Sequence, residues 1–219
     1  MNVLKMQRLF AVSVLIGIFL SGCAAHQPIP ELSLPESSGV SIDIKLKQIS
    51  LFSNKPDLIY FARIDGEGGL LQEQIRRSNY SKDGRAYLLN ARPGTYVAVA
   101  AFFTAGGGPY VATHSYTTYF SKEMVEQTKV LIGANDFVFM GSYVVDQSIG
   151  LAGADAVQTH YQDVIAPGAI TTGFFQLLSL DHHYRGTLLE RKSDEQTRNE
   201  FFRNAKEDLA GSGWVGRLK

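Results

Sequence analysis

The sequence predicts a mainly β protein, a β-sandwich with one amphipathic helix near its C-terminus. Three patterns carry that expectation. Val40, Ile42, Ile44 and Leu46 alternate with Ser41, Asp43 and Lys45, the period of a strand with one face in a core. Residues 95–104 and 136–145 are apolar on both alternating faces, so each should be an interior strand covered on two sides. Phe201, Phe202, Ala205 and Leu209 fall at helical spacing, which suits a helix laid over one of those covered faces.

The elements follow in chain order. After the first strand, residues 58–64 read as a second, followed by a glycine-rich turn at 66–69. Residues 69–78 fit a short helical turn as well as a strand. Asp83-Gly84 marks a tight hairpin turn before a strand at 86–90, and Pro93-Gly94 a second turn before residues 95–104. Residues 110–120 and 128–132 are further strands, bounded by turns at 106–109 and 133–135. Repeated short strands with Gly- or Pro-bearing turns are a sandwich pattern.

Residues 147–169 contain Gly150, Gly153, Pro167 and Gly168, with only Val157, Tyr161 and Ile165 sparsely placed. They read as a long loop, the region where a binding surface is expected first. Ser193 followed by Gln196 reads as a capping box, opening a helix over about 193–210 that Gly211 stops. Trp214 is expected to hold the tail on the same surface.

Composition limits the function classes. The chain has 219 residues, with 21 basic and 21 acidic side chains and one cysteine. That is enough for one domain with a core. Zero net charge argues against a nucleic-acid partner. A single cysteine excludes a disulfide framework and a multi-cysteine metal site.

The first 22 residues are expected to be an address. Lys5 and Arg8 make a short positive segment, residues 9–20 are an uncharged apolar run, and Ser21 and Gly22 are small. The run is shorter than the roughly 20 apolar residues of a membrane-crossing helix and suits the apolar region of a secretory signal.

The tetrapeptide that ends it, Leu20-Ser21-Gly22-Cys23, resembles the lipobox of bacterial lipoproteins. The resemblance implies cleavage before Cys23, attachment of a diacylglycerol to its sulfur, and acylation of the new amine. Ala24, where an aspartate would favour retention on the inner membrane, implies the outer membrane with the body in the periplasm. Anchoring by two or more acyl chains is stable without any spanning segment, since each buried methylene contributes about 0.8 kcal/mol.

Residues 23–39, with three prolines and several serines, read as an extended tether, and residues 40–219 as a single domain. Cleavage removes Lys5 and Arg8 and no acid, leaving 19 basic against 21 acidic residues, a formal −2. That gives no polybasic reason for the body to lie on anionic headgroups, so it is expected to stand off the membrane.

Residues 83–101, DGRAYLLNARPGTYVAVAA, resemble the strand–turn–strand of carboxypeptidase regulatory-like, or prealbumin-like, β-sandwich domains. The resemblance implies the fold and no activity.

Recognised catalytic patterns are missing from the sequence. Residues 211–216 spell G-x-G-x-x-G but follow a helix and leave three residues of chain, so the dinucleotide reading fails. The weak candidates are Asp181 with His182, and His160 with Asp163. On a strand, His182 and His183 point to opposite faces, and zinc needs three or four convergent ligands. No metal and no cofactor are expected. His114 reads as a partly buried, hydrogen-bonded strand residue. Tyr110, Tyr116 and Tyr119 with Thr113, Thr117 and Thr118 fit a polar-aromatic ladder for glycan or peptide contact, but an ordinary well-paired sheet strand is the commoner reading of such a pattern.

The expectation is a lipid-anchored, non-catalytic binding or scaffolding module at the envelope, with an envelope protein as partner. Two alternatives are an envelope hydrolase built on His160, Asp163, Asp181 and His182, and an assembly factor acting by strand addition.

Overall fold

The computed structural model describes residues 27–47, 53–64, 75–106, 112–164 and 182–218. The lipobox, the turn at 66–69 and Asp181 lie outside them.

The alternating segment forms β1 (Ser38–Lys47), with Val40, Ile42, Ile44 and Leu46 fully buried on one face. It is flanked by β6 (Arg85–Ala91), antiparallel, and β10 (Phe137–Gly150), parallel. The doubly apolar residues 95–104 lie in β7 (Gly94–Ala105), an interior strand between β3 (Leu58–Ile64) and β8 (His114–Phe120). The short β2 (Ser53–Asn54) and β9 (Val130–Ile132) add to β1 and β7. β11 (His182–Lys192) lies between β8 and β10, parallel to the first and antiparallel to the second.

The described strands do not divide into two hydrogen-bonded sheets. They form one sheet of 11 strands along the path β4-β3-β7-β8-β11-β10-β1-β6-β5, with β2 and β9 off it. Its two end strands, β4 (Arg76–Arg77) and β5 (Tyr80–Lys82), are joined by only Ser78 and Asn79. Their nearest Cα atoms are therefore within about 11 Å, and a sheet this wide has to curl for its ends to meet.

The seam is stitched by side chains. Ser78 N donates to Ile59 O at 2.7 Å, and Ser78 Oγ accepts from Ile59 N at 3.0 Å. The Asn79 amide bonds both Leu89 N and Leu89 O at 2.8 Å. Inside the curl, Ile42, Ile44, Leu88, Val99, Ala101 and Val145 share one core. Burying each larger side chain contributes about 1.5–3 kcal/mol.

The hairpin expected at Asp83-Gly84 joins β5 to β6. Both residues have positive φ, 55° and 88°, as a two-residue turn between twisted strands requires. A helix not expected, α1 (Lys122–Gln127), follows β8, capped by Ser121 Oγ and burying Met124 and Val125. Thr128 ends it and pins it to β7, its hydroxyl oxygen accepting from Ala98 N at 2.9 Å.

The loop expected at 147–169 is corrected over its described part. β10 continues to Gly150, and α2 (Gly153–Val164) follows. Val157 and Tyr161 are four residues apart, a helical spacing that the surrounding glycines disguise; Ile165 lies outside the described residues.

The predicted C-terminal helix is α3 (Glu195–Asp208). Its cap is Asp194 rather than Ser193. Asp194 accepts from Thr197 N and from Thr197 Oγ1, each at 2.9 Å, a residue later than the capping-box reading placed it. These bonds hold the exposed Asp194 carboxyl below its usual value.

As expected, α3 covers the second face of the sheet. Phe201, Phe202, Ala205 and Leu209 pack on Tyr87, Leu89 and Phe137, and Phe201 stacks on Phe139 at 3.9 Å. The tail is a 3₁₀ turn (Gly213–Arg217) with Trp214 fully buried, so the G-x-G-x-x-G residues are a helix stop and a packed turn, not a loose end.

A polar clamp holds α3 to the sheet. Arg85 donates twice to the buried Asp208, at 2.6 and 2.9 Å, and Tyr87 Oη donates to the same carboxylate at 2.6 Å. Tyr80 Oη adds a bond to Asp208 O at 2.9 Å. Every one of these bonds joins the helix end to β5 or β6.

The stretch read as an extended tether is described from Gln27. From there it lies on the body, with Ile29 and Leu32 packed against the Trp214 cluster.

Candidate functional site

Buried polar groups without partners are uncommon in folded chains, and each asks for a reason. Among the described residues two buried side-chain oxygens lack one, Thr117 Oγ1 and Gln147 Oε1. Both lie where β8, β11 and β10 run side by side. The histidines predicted from sequence fall in the same place.

Strand alternation divides them between two faces. His182 pairs with Tyr116 in register, and their rings stack at 4.8 Å. On that face Phe103 covers the other side of Tyr116 at 4.7 Å, Tyr184 approaches at 6.4 Å, and His114 lies 5.5 Å from His182. His114 is exposed rather than partly buried: it opens β8, at the strand's outer end. With Phe103 and His182 covering both faces of Tyr116, its ring offers only edges, so a flat stacking platform for a sugar is not formed.

Beneath this row, Gln147 is 2% exposed and donates through Nε2 to Thr118 Oγ1. The bond passes over Gly186 of β11. A Cβ there would come within 2.8 Å of Thr118 Cγ2 and 3.0 Å of Val145 Cγ1. The missing side chain lets a β10 residue reach β8 across the intervening strand.

His183 points to the opposite face. Its Nδ1 lies 3.2 Å from Tyr119 Oη, with ring centroids 5.8 Å apart. From α2, His160 brings its ring edge to Tyr119 at 6.2 Å, and its Nε2 lies 3.0 Å from Phe120 O. A carbonyl can only accept, so Nε2 of His160 carries the hydrogen. Burial pushes the Tyr119 hydroxyl far above its ordinary pKa. At neutral pH it stays protonated, a hydrogen-bonding group rather than a base. Thr117, whose oxygen is unpartnered, is the register partner of His183.

Of the predicted quartet, the two histidines are not brought together. His160 and His182 stand on opposite faces of β8; Asp163 is in α2 with its side chain outside the described residues, and Asp181 is outside them altogether. No group of three or more His, Cys, Asp or Glu with metal-binding placement occurs among the described residues.

Sequence reasoning missed Gln147 and the contact of His183 with Tyr119. The available signal was Gly186, a glycine inside a strand pattern, which marks a close approach.

Compared with known protein families, curated proteins and solved structures, the chain matches none of them.

Proposed function

We propose that the chain is the precursor of a bacterial lipoprotein. It is cut before Cys23, acylated there, and held in the inner leaflet of the outer membrane as a non-catalytic binding or scaffolding module in the periplasm. The observation that carries this is Leu20-Ser21-Gly22-Cys23 placed directly after a charged segment and an apolar run. Among the described residues, which do not include the apolar run at 9–20, no helix is long and apolar enough to cross a membrane.

The finer fold reading, a sandwich of prealbumin-like type, draws support from the shared core. Residues of β1 and β6 pack with residues of β3 and β7 in one cluster although those strands are remote in the sheet path.

The contact region proposed is the β8–β11–β10 junction. Its support is the half-exposed His182, Tyr184 and Tyr116 above the buried Gln147 oxygen. The hydrolase alternative draws no support from His160 and His182, which face apart. Strand addition is disfavoured by the very short end strands β4 and β5, joined to each other through Ser78 and Asn79.

The test is Cys23→Ala. The account expects an unlipidated precursor that leaves the membrane fraction in a high-salt wash. A variant that stays with the membrane after that wash would show that lipid is not what holds the protein.

A further inference from the structure

The lipoprotein reading places an anchor at Cys23, and the described chain begins four residues later, already attached to the body. Gln27 Nε2 donates to Asn79 O at 3.1 Å, and Trp214 Nε1 to Pro30 O at 2.8 Å. Asn90 holds two points at once, donating to Glu31 O at 2.8 Å and accepting from Ser33 N at 3.0 Å. The Arg217 guanidinium donates to Pro35 O. Residues 27–37 are thus fastened at five places along one side of the domain, and Ile29 and Leu32 pack into the Trp214 cluster.

Covalent geometry then bounds the free length. Four residues, fully extended, span at most about 14 Å. A polar headgroup layer occupies roughly 5–8 Å on each side of the hydrocarbon core, and the thioether lies at the boundary of that core. Too little chain remains for the body to stand away from the surface.

Resting on that reading, we infer that the rim around Gln27 is a membrane-facing surface in contact with phospholipid headgroups, and that the clamped segment fixes the orientation of the whole domain on the bilayer. The rim has the chemistry for it. Arg76 and Arg77 of β4 are exposed there. Arg77 lines a cleft of about 320 Å³ with Gln27, Asp57, Leu58, Ser78 and Asn79. The one carboxylate in that lining, Asp57, accepts from Thr104 N at 2.7 Å and Thr104 Oγ1 at 2.9 Å on one oxygen and keeps its charge, against the two guanidinium groups of β4. Local cations, not the formal −2 of the mature chain, meet the anionic headgroups, because attraction fades within a Debye length of about 8–10 Å.

The far end of the domain follows from the sheet. Leu58 pairs with Phe102 on β7, and Leu131 pairs with Thr95 seven residues along it, about 23 Å away at 3.3 Å per residue. Leu131 is 75% exposed.

Cys23 is the only cysteine, and acylation consumes its thiol, so one introduced cysteine can be labelled alone. Lipidated Asp57→Cys, beside Leu58 at the rim, and Leu131→Cys proteins, each carrying a donor dye, are placed in phosphatidylglycerol-containing vesicles with an acceptor on the headgroups. Energy transfer is expected to be several-fold stronger from position 57 than from 131. Asn90→Gly, which keeps the left-handed backbone (φ 61°) but deletes the Glu31 and Ser33 bonds, should narrow that difference. Equal transfer from both positions, in protein whose mass confirms acylation, overturns the orientation and leaves the lipoprotein reading standing. A mass showing residues 1–22 retained and a free thiol overturns both.

Discussion

On the flank under α3, a buried carboxylate is surrounded by donors: Arg85 twice, Tyr87 once, with Lys82 Nζ 3.5 Å from the same group. Across the sheet, at the β8–β11–β10 junction, Gln147 and Thr117 are just as deeply buried, and each leaves an oxygen unmatched. The apolar packing is dense in both places. What differs is the polar accounting. A satisfied buried network rigidifies, whereas a half-satisfied one lowers stability. The first flank therefore reads as the part that holds the protein together, and the second as the part where stability has been given up.

Substitutions can break or sharpen that contrast. The largest effect is expected from Trp214→Ala, which empties the centre of the α3 cluster and removes the bond to Pro30. It should cost about 3–5 kcal/mol, read as a lower urea midpoint at unchanged slope. A loss below about 1 kcal/mol would mean the packing of the α3 cluster contributes little.

Next comes Asp208→Ala. Removing one partner of a buried ion pair costs about 3–5 kcal/mol, and the low end is expected because Arg85 keeps some solvent contact, with 16% of its side chain exposed. A double-mutant cycle with Tyr87→Phe should show coupling, since both hydroxyl and guanidinium address one carboxylate.

Alkali should act on both flanks. Burial raises the pKa of Tyr60, Tyr80, Tyr87, Tyr119 and Tyr143 above 10.0, and at Tyr87 the Asp208 carboxylate adds to it. The unfolded chain therefore loses these protons first. Stability is full below pH 10 and falls as pH rises beyond it. Tyrosinate absorbance from these residues should appear together with loss of the β signal; titration with the sheet intact would contradict their burial.

The smallest effect is expected at the junction. Gln147→Met keeps the volume and removes the unpartnered oxygen but also the donor to the buried Thr118 hydroxyl, so the change should cost about 1–2 kcal/mol. A cost as large as that of Asp208→Ala would erase the distinction between the two flanks.

The same contrast explains what was legible in the sequence. Alternation exposed β1, and doubly apolar segments exposed β7 and β10, because burial imposes a period on the chain. The helical stripe of α3 was equally plain. The sheet path was not, since the parallel pairings of β1 with β10 and of β8 with β11 join remote segments. The helix α2 was lost among glycines. At the site, alternation separated His182 from His183 correctly, but nothing in the string of letters brings His160 to Tyr119 or Gln147 over Gly186. Asp208 shows the same limit: a polar residue at a helix end reads as solvated until its partners on β5 and β6 are known.

The account turns on where the mature chain begins, and the mass of its N-terminal peptide, taken from membrane-extracted protein, measures that directly. The account predicts a peptide starting at Cys23 and heavier by a diacylglyceryl and an acyl group. A peptide that still carries residues 1–22, with an unmodified thiol at position 23, would contradict it.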